Sequence, residues 1–90
     1  MAIVDTSRSA DRIDRVAHVL EALADRSRLL IVSELSHGPM PVKDLVARLP
    51  LAQSTISVHL GVLHRSGLIS VAVKRNQRIY SLTGSASETA

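Results

Sequence analysis

Apolar residues fall at helical spacing through the first two-thirds of the chain and at alternate positions after that. Ile13, Val16, Ala17, Leu20 and Leu23 recur at three and four, which places them on one stripe of a helix. Asp11 and Asp14 stand near its start, where the helix dipole favours negative charge, so a first helix is expected over 11–24. Residues 1–8 carry no sustained period and are expected to form a mobile tail. Asp25 is placed to cap a second helix over 26–36. Its core face is expected to hold Leu29, Val32 and Leu35, widened by Leu30 and Ile31. Gly38-Pro39 then stops it. Pro41 suits the first position of a third helix, where its missing N–H costs nothing. Val42, Leu45, Val46 and Leu49 make that helix's apolar face, and Pro50 ends it. A fourth helix is expected over 53–66, with Ile56, Leu60 and Leu63 buried. Gly67 supplies the left-handed residue past its end, and Leu68 the accompanying apolar contact.

After Gly67 the period becomes two. Ser70-Val71-Ala72-Val73-Lys74 and Arg78-Ile79-Tyr80-Ser81-Leu82 read as strands. Arg75-Asn76-Gln77 forms the turn between them, and Asn76 tolerates positive φ. Residues 83–90 are small and polar and are expected to fray. The predicted fold is mainly α with a small β-hairpin, in one domain over 9–82. Two short helices joined by about four residues form a helix-turn-helix element. With the hairpin behind it, the whole is a winged helix-turn-helix. In such an element the second helix enters the major groove while the first crosses the backbone.

Charge sharpens this picture. Residues 1–44 hold six Lys or Arg against seven Asp or Glu, whereas residues 45–90 hold five against one, Glu88. No carboxylate lies between Asp44 and Glu88, and a basic, acid-free half suits a polyanion. The one aromatic residue, Tyr80, argues against single-stranded nucleic acid, whose bases stack on aromatic platforms. Duplex DNA read through the major groove needs none. Opposite its buried stripe the fourth helix offers Gln53, Ser54, Ser57 and Val58. Gln bonds two edge atoms of adenine, Ser bonds a base or phosphate, and Val meets a thymine methyl. Each of these groups has an ordinary structural reading as well. Gln53, Ser54 and Thr55 suit any polar helix start, Arg65 complements the dipole at a helix end, and Lys74, Arg75 and Arg78 are common solubilisers of a turn and edge strand. Their convergence on one surface favours duplex DNA.

Several stretches resemble the ArsR/SmtB family of bacterial repressors. Leu23-Ala24-Asp25-Arg26-Ser27-Arg28-Leu29 is similar to that family's "LADxxR" opening, and Met40-Pro41-Val42-Lys43-Asp44-Leu45 to the start of its third helix. Leu51-Ala52-Gln53-Ser54-Thr55-Ile56-Ser57-Val58-His59-Leu60 resembles its recognition helix. Leu63-His64-Arg65-Ser66-Gly67-Leu68-Ile69 resembles the exit into the wing, and Arg78-Ile79-Tyr80-Ser81-Leu82 the second wing strand. The resemblance covers about residues 11–82. It implies a homodimeric repressor on an inverted-repeat operator. It assigns base reading to Gln53, Ser54, Ser57 and Val58; Thr55, between them in the sequence, is counted with the same DNA-binding helix. His59 supports the helix or touches phosphate. Lys74, Arg75 and Arg78 fall on the wing, which approaches the DNA backbone or minor groove. Apart from the resemblance, Arg65 at the end of the fourth helix is counted with these wing and backbone cations. There are departures too. Ala52 stands where a capping serine is usual, and Val58 where an arginine or histidine is common. Val42, Lys43 and Asp44 occupy the stretch where thiol-type sensors carry cysteines, and the family's carboxy-terminal helix is expected to be absent or very short.

No metal or other cofactor is expected. The chain has no cysteine, and His18, His37, His59 and His64 do not have the spacing of a convergent zinc site. No glycine-rich phosphate loop or nucleophile–base set marks an enzyme. No apolar run approaches a membrane span, so a cytoplasmic protein is expected. The dimer contact is expected on the first helix, on a side including Val19 and Ala22 beside Ile13 and Leu20. The competing reading is a winged-helix interaction module that acts with a separate sensor protein.

Overall fold

The computed structural model describes residues 6–84. Of the expected tails, 1–5 and 85–90 lie outside the described residues; at the start of the second, Thr83 donates to the Leu68 carbonyl at 3.0 Å and is held rather than frayed. In chain order the elements are α1 (Thr6–Leu23), α2 (Arg26–Leu35), β1 (Met40–Pro41), α3 (Val42–Arg48), α4 (Gln53–Arg65), β2 (Ile69–Lys74) and β3 (Gln77–Leu82). Helix α1 starts at Thr6, not at Asp11, so residues 6–8 are helical rather than tail. The segment Thr6–Ala10 holds no large apolar residue, so a periodicity argument has nothing to register there.

The core gathers Ile31 and Leu35 from α2, Met40 from β1, Leu45 from α3 and Leu49 just after it. Ile56, Leu60 and Leu63 of α4 and Ile69 of β2 complete it, together with Ala22 of α1. The α4 stripe is sealed: Ile56, Leu60 and Leu63 are at most 1% exposed. Val42 and Val46 of α3 pack against this core half-buried.

The expected contact side of α1 and the expected core face of α2 are each corrected in one residue. Ile13, Val16 and Leu20 are 67%, 53% and 61% exposed, whereas Ala22 is buried. At about 100° per residue, Ala22 lies on the opposite side of α1 from Leu20. The small residue therefore faces α2, and the apolar stripe faces away. Ala22 thus cannot belong to an outer contact surface. On α2, Leu29 is likewise about 200° from Ile31; Ile31 and Leu35 are buried and Leu29 is 51% exposed. Periodicity identifies an apolar face without saying what covers it.

The sheet is antiparallel in the order β1-β3-β2. Strand β1 went unseen in the sequence because it is two residues long and ends in proline. It pairs Met40 with Tyr80 and Pro41 with Ile79, which ties the entry of α3 to the hairpin. Pro41 is thereby the residue just before the helix, not its first turn. Hairpin pairing continues to Lys74 opposite Gln77, so the turn is two residues, not three. Arg75 and Asn76 take φ of 51° and 64°, the paired left-handed geometry that matches strand twist in two-residue hairpins. Beyond α4, Gly67 (φ 83°) donates to the His64 carbonyl at 3.0 Å, and Leu68 donates to the Leu63 carbonyl at 3.1 Å. This pair of bonds stops the helix and turns the chain into β2.

Candidate nucleic-acid interface

Helix α4 presents two unlike faces. Its core face seats it on α2 and α3. On the other side Gln53, Ser54, Ser57 and Val58 are exposed, Val58 at 66%. Thr55 is half-buried and sits on the flank. His59 is turned back from the outward face: its side chain is only 16% exposed, with Nε2 4.0 Å from Asp25 Oδ1. Its Nδ1 lies 3.3 Å from an Arg28 terminal nitrogen. The ring thus faces the start of α2 rather than the exposed side of α4.

The hairpin stands beside α4. Lys74, Arg75 and Arg78 are all exposed, with Arg75 in the turn itself. A groove of about 390 Å³ runs between α4 and the hairpin, lined by Ser57, Gly61 and His64 on one wall and Val71, Arg78 and Tyr80 on the other. Arg65 is not part of this group. It lines a separate cleft of about 400 Å³ with His18, Glu21 and Arg28, towards α1. From the sequence, Arg65 counts with the wing and backbone cations and His64 is weighed only as a metal ligand. The spacing Ser57–Gly61–His64, at i, i+4 and i+7, is the signal that would have marked the hairpin-facing line.

Asp25 caps α2 through its side chain, which accepts the Arg28 N–H at 3.1 Å. That bond chiefly holds the carboxyl below its ordinary range; desolvation opposes it, and the charge of Arg28 adds to the lowering.

Residues 25–71 match the family model described as "Bacterial regulatory protein, arsR family". The chain belongs to the ArsR family. It is 41% identical over 68 residues to the HTH-type transcriptional regulator NmtR of Mycobacterium tuberculosis, a match covering 76% of this chain and 57% of that protein. It is 35% identical over 72 residues to the biofilm growth-associated repressor of Xylella fastidiosa, covering 80% of this chain and 63% of that one. The chain therefore spans less than two-thirds of the length of these curated relatives. A homodimeric winged helix-turn-helix DNA-binding domain from Mycobacterium bovis, solved in solution, matches with a TM-score of 0.83 at 30% identity, over 93% of this chain and 77% of that one. The winged helix-turn-helix expected from the sequence is thus the observed fold.

This ArsR-family helix α4 lacks its side-chain cap. It begins at Gln53 with Ala52 as the preceding residue, and no side chain bonds the first turn. A later start capped by Ser54 is not realised. Ala52→Ser is expected to stabilise the protein by about 1 kcal/mol, raising Tm by roughly 4–8 °C for a domain of this size. A thermal melt followed by circular dichroism checks it, and an unchanged Tm would show that the first turn gains nothing from a hydroxyl. Among the described residues no three His, Cys, Asp or Glu side chains come together as a metal would need.

Proposed function

We propose that the protein is a homodimeric, sequence-specific repressor that acts in the cytoplasm by binding an inverted-repeat duplex operator. One observation carries this: Gln53, Ser54, Ser57 and Val58 stand exposed on a helix whose other side is sealed into the core, beside a hairpin whose three cations are exposed. A helix seated in this way can enter the major groove without unfolding anything. Gln53 at its first turn reaches a base edge first, since N-terminal residues of a recognition helix do the reading. Ser57 and Val58 follow one turn deeper. Arg75, at the tip of a rigid two-residue turn, reaches the phosphates of the flanking backbone.

The dimer is supported by α1. Ile13, Val16, Ala17 and Leu20, with the stem of Arg12, line an open apolar groove of about 320 Å³ on its outward face. A single recognition helix touches few base pairs, and two copies read two half-sites about one helical turn apart. The similar domain from M. bovis, itself homodimeric, supports dimerisation.

Two substitutions separate reading from anchoring. Gln53→Ala is expected to cut discrimination between operator and random duplex by about 1–3 kcal/mol, the worth of one bidentate base contact. Arg75→Ala is expected to weaken every duplex alike and to lower the salt slope by about one phosphate contact per protomer. Fluorescence anisotropy at several salt concentrations gives both quantities. Equal losses on all sequences for both variants would refute the assigned roles.

A further inference from the structure

The segment 23–29 lies off the exposed face of α4, yet its polar groups bridge three helices. The Arg28 guanidinium donates through Nε to the Ala22 carbonyl and through one terminal nitrogen to the Glu21 carbonyl at 3.2 Å. These two oxygens lie at the C-terminal end of α1, where the last carbonyls of a helix lack intrahelical partners and arginine suits them. The other terminal nitrogen lies 3.3 Å from Nδ1 of His59 on α4. A guanidinium can only donate. His59 Nδ1 therefore accepts, and the ring proton sits on Nε2, facing Asp25 Oδ1 at 4.0 Å. Asp25 in turn accepts the backbone N–H of Arg28 at 3.1 Å. The planar fork thus joins the end of α1 to the flank of α4, while the backbone N–H of the same residue is held by the cap of α2.

The rest of the hold on α4 among the described residues is mainly apolar. Ile56, Leu60 and Leu63 anchor it in the core, but apolar burial is non-directional and leaves some freedom of roll about the helix axis. Hydrogen bonds have preferred angles, and His59 sits beside Ser57 and Val58 in sequence. Resting on the duplex reading proposed above, we propose that Arg28 is a positioning residue for DNA recognition: through His59 it fixes the angle of the reading face of α4 relative to the end of α1. Lysine cannot replace it, because a single ammonium does not reproduce the flat fork that spans both the carbonyls and the ring.

The test uses the full chain. Arg28→Lys keeps the charge and removes the fork. His59→Leu removes the acceptor, and His59→Asn restores an acceptor near the Nδ1 position. Thermal melts and sedimentation first establish folding and mass. Operator against random-duplex competition is then expected to show about a tenfold loss of discrimination for Arg28→Lys and for His59→Leu. Random-duplex affinity of Arg28→Lys should stay within twofold. The double variant should be no worse than the worse single, and His59→Asn should recover part of the loss. Discrimination held within twofold in both single variants, or losses that multiply in the double, would overturn the proposal. A second arm needs no DNA. In ¹⁵N–¹H spectra, Arg28→Lys is expected to shift the amides of 53–60 as well as those near 21–28. Shifts confined to α1 and α2 would overturn it even if the wild type proved unable to discriminate, a result that would count against duplex reading alone. If Arg28→Lys fails to fold, the same spectra of His59→Leu and His59→Asn decide between these outcomes.

Discussion

Leu20→Glu is expected to convert the protein from a dimer to a 9.7 kDa monomer and to weaken operator binding by about 10²–10⁴-fold. That range is the usual gain from linking two binding units on one target. The size follows from where Leu20 lies. It is 61% exposed beside Ile13 and Val16, so glutamate there disturbs little inside one protomer. In a dimer that joins two such faces, the substitution buries two carboxylates in an apolar contact, which costs several kcal/mol per ion when nothing pairs them. Folding of the single chain should survive, and half-site affinity should approach that of one recognition helix alone. Sedimentation at micromolar concentration and operator titration check both parts. A variant that stays dimeric would move the interface away from the α1 stripe.

The second large effect is expected inside the core. Leu60 is 1% exposed and lies between Ile56 and Leu63 on the sealed face of α4. Leu60→Ala is expected to cost about 2–5 kcal/mol, since truncating a buried leucine loses its transfer energy and leaves a cavity. Natural domains hold only about 5–15 kcal/mol in all, so this is a substantial share, equivalent to a fall in Tm of roughly 8–40 °C for a domain of this size. The change also removes the central anchor of the helix that carries Gln53 and Ser57. Denaturant unfolding measures it directly. A loss under 1 kcal/mol would mean that α4 is held mainly by something other than this stripe.

These two residues mark the boundary of what the sequence discloses. The α4 stripe at 56, 60 and 63 was legible because its apolar spacing is strict and Gly67 ends it with a specific hydrogen-bond pair. The outward face followed by subtraction. The stripe on α1 was equally visible, but its burial was not, because a period describes one helix and burial needs a second surface. Ala22 is too small to dominate a pattern, yet it faces α2. Strand β1 was illegible for a different reason. Two residues ending in proline carry no alternation, and only the partners Tyr80 and Ile79 make Met40-Pro41 a strand. The turn was misjudged by one residue because Arg75 is an unusual residue for positive φ. The inward turn of His59 depends on Asp25 and Arg28, more than thirty positions earlier in the chain, and no local pattern connects them. Arg65 was assigned to the wing from charge alone, and the helix instead carries it round to the α1 side.

The central claim is that the exposed face of α4 reads bases. Selecting bound duplexes from a random pool tests it most directly, with the wild type run beside a Gln53→Ala/Ser57→Ala variant. The expected wild-type product is one short sequence repeated in inverted orientation, its half-site centres about 10–10.5 base pairs or a multiple apart. The variant should still bind DNA through its hairpin cations but enrich that sequence weakly. A wild type that enriches nothing, or a variant that selects the same operator just as sharply, would contradict it.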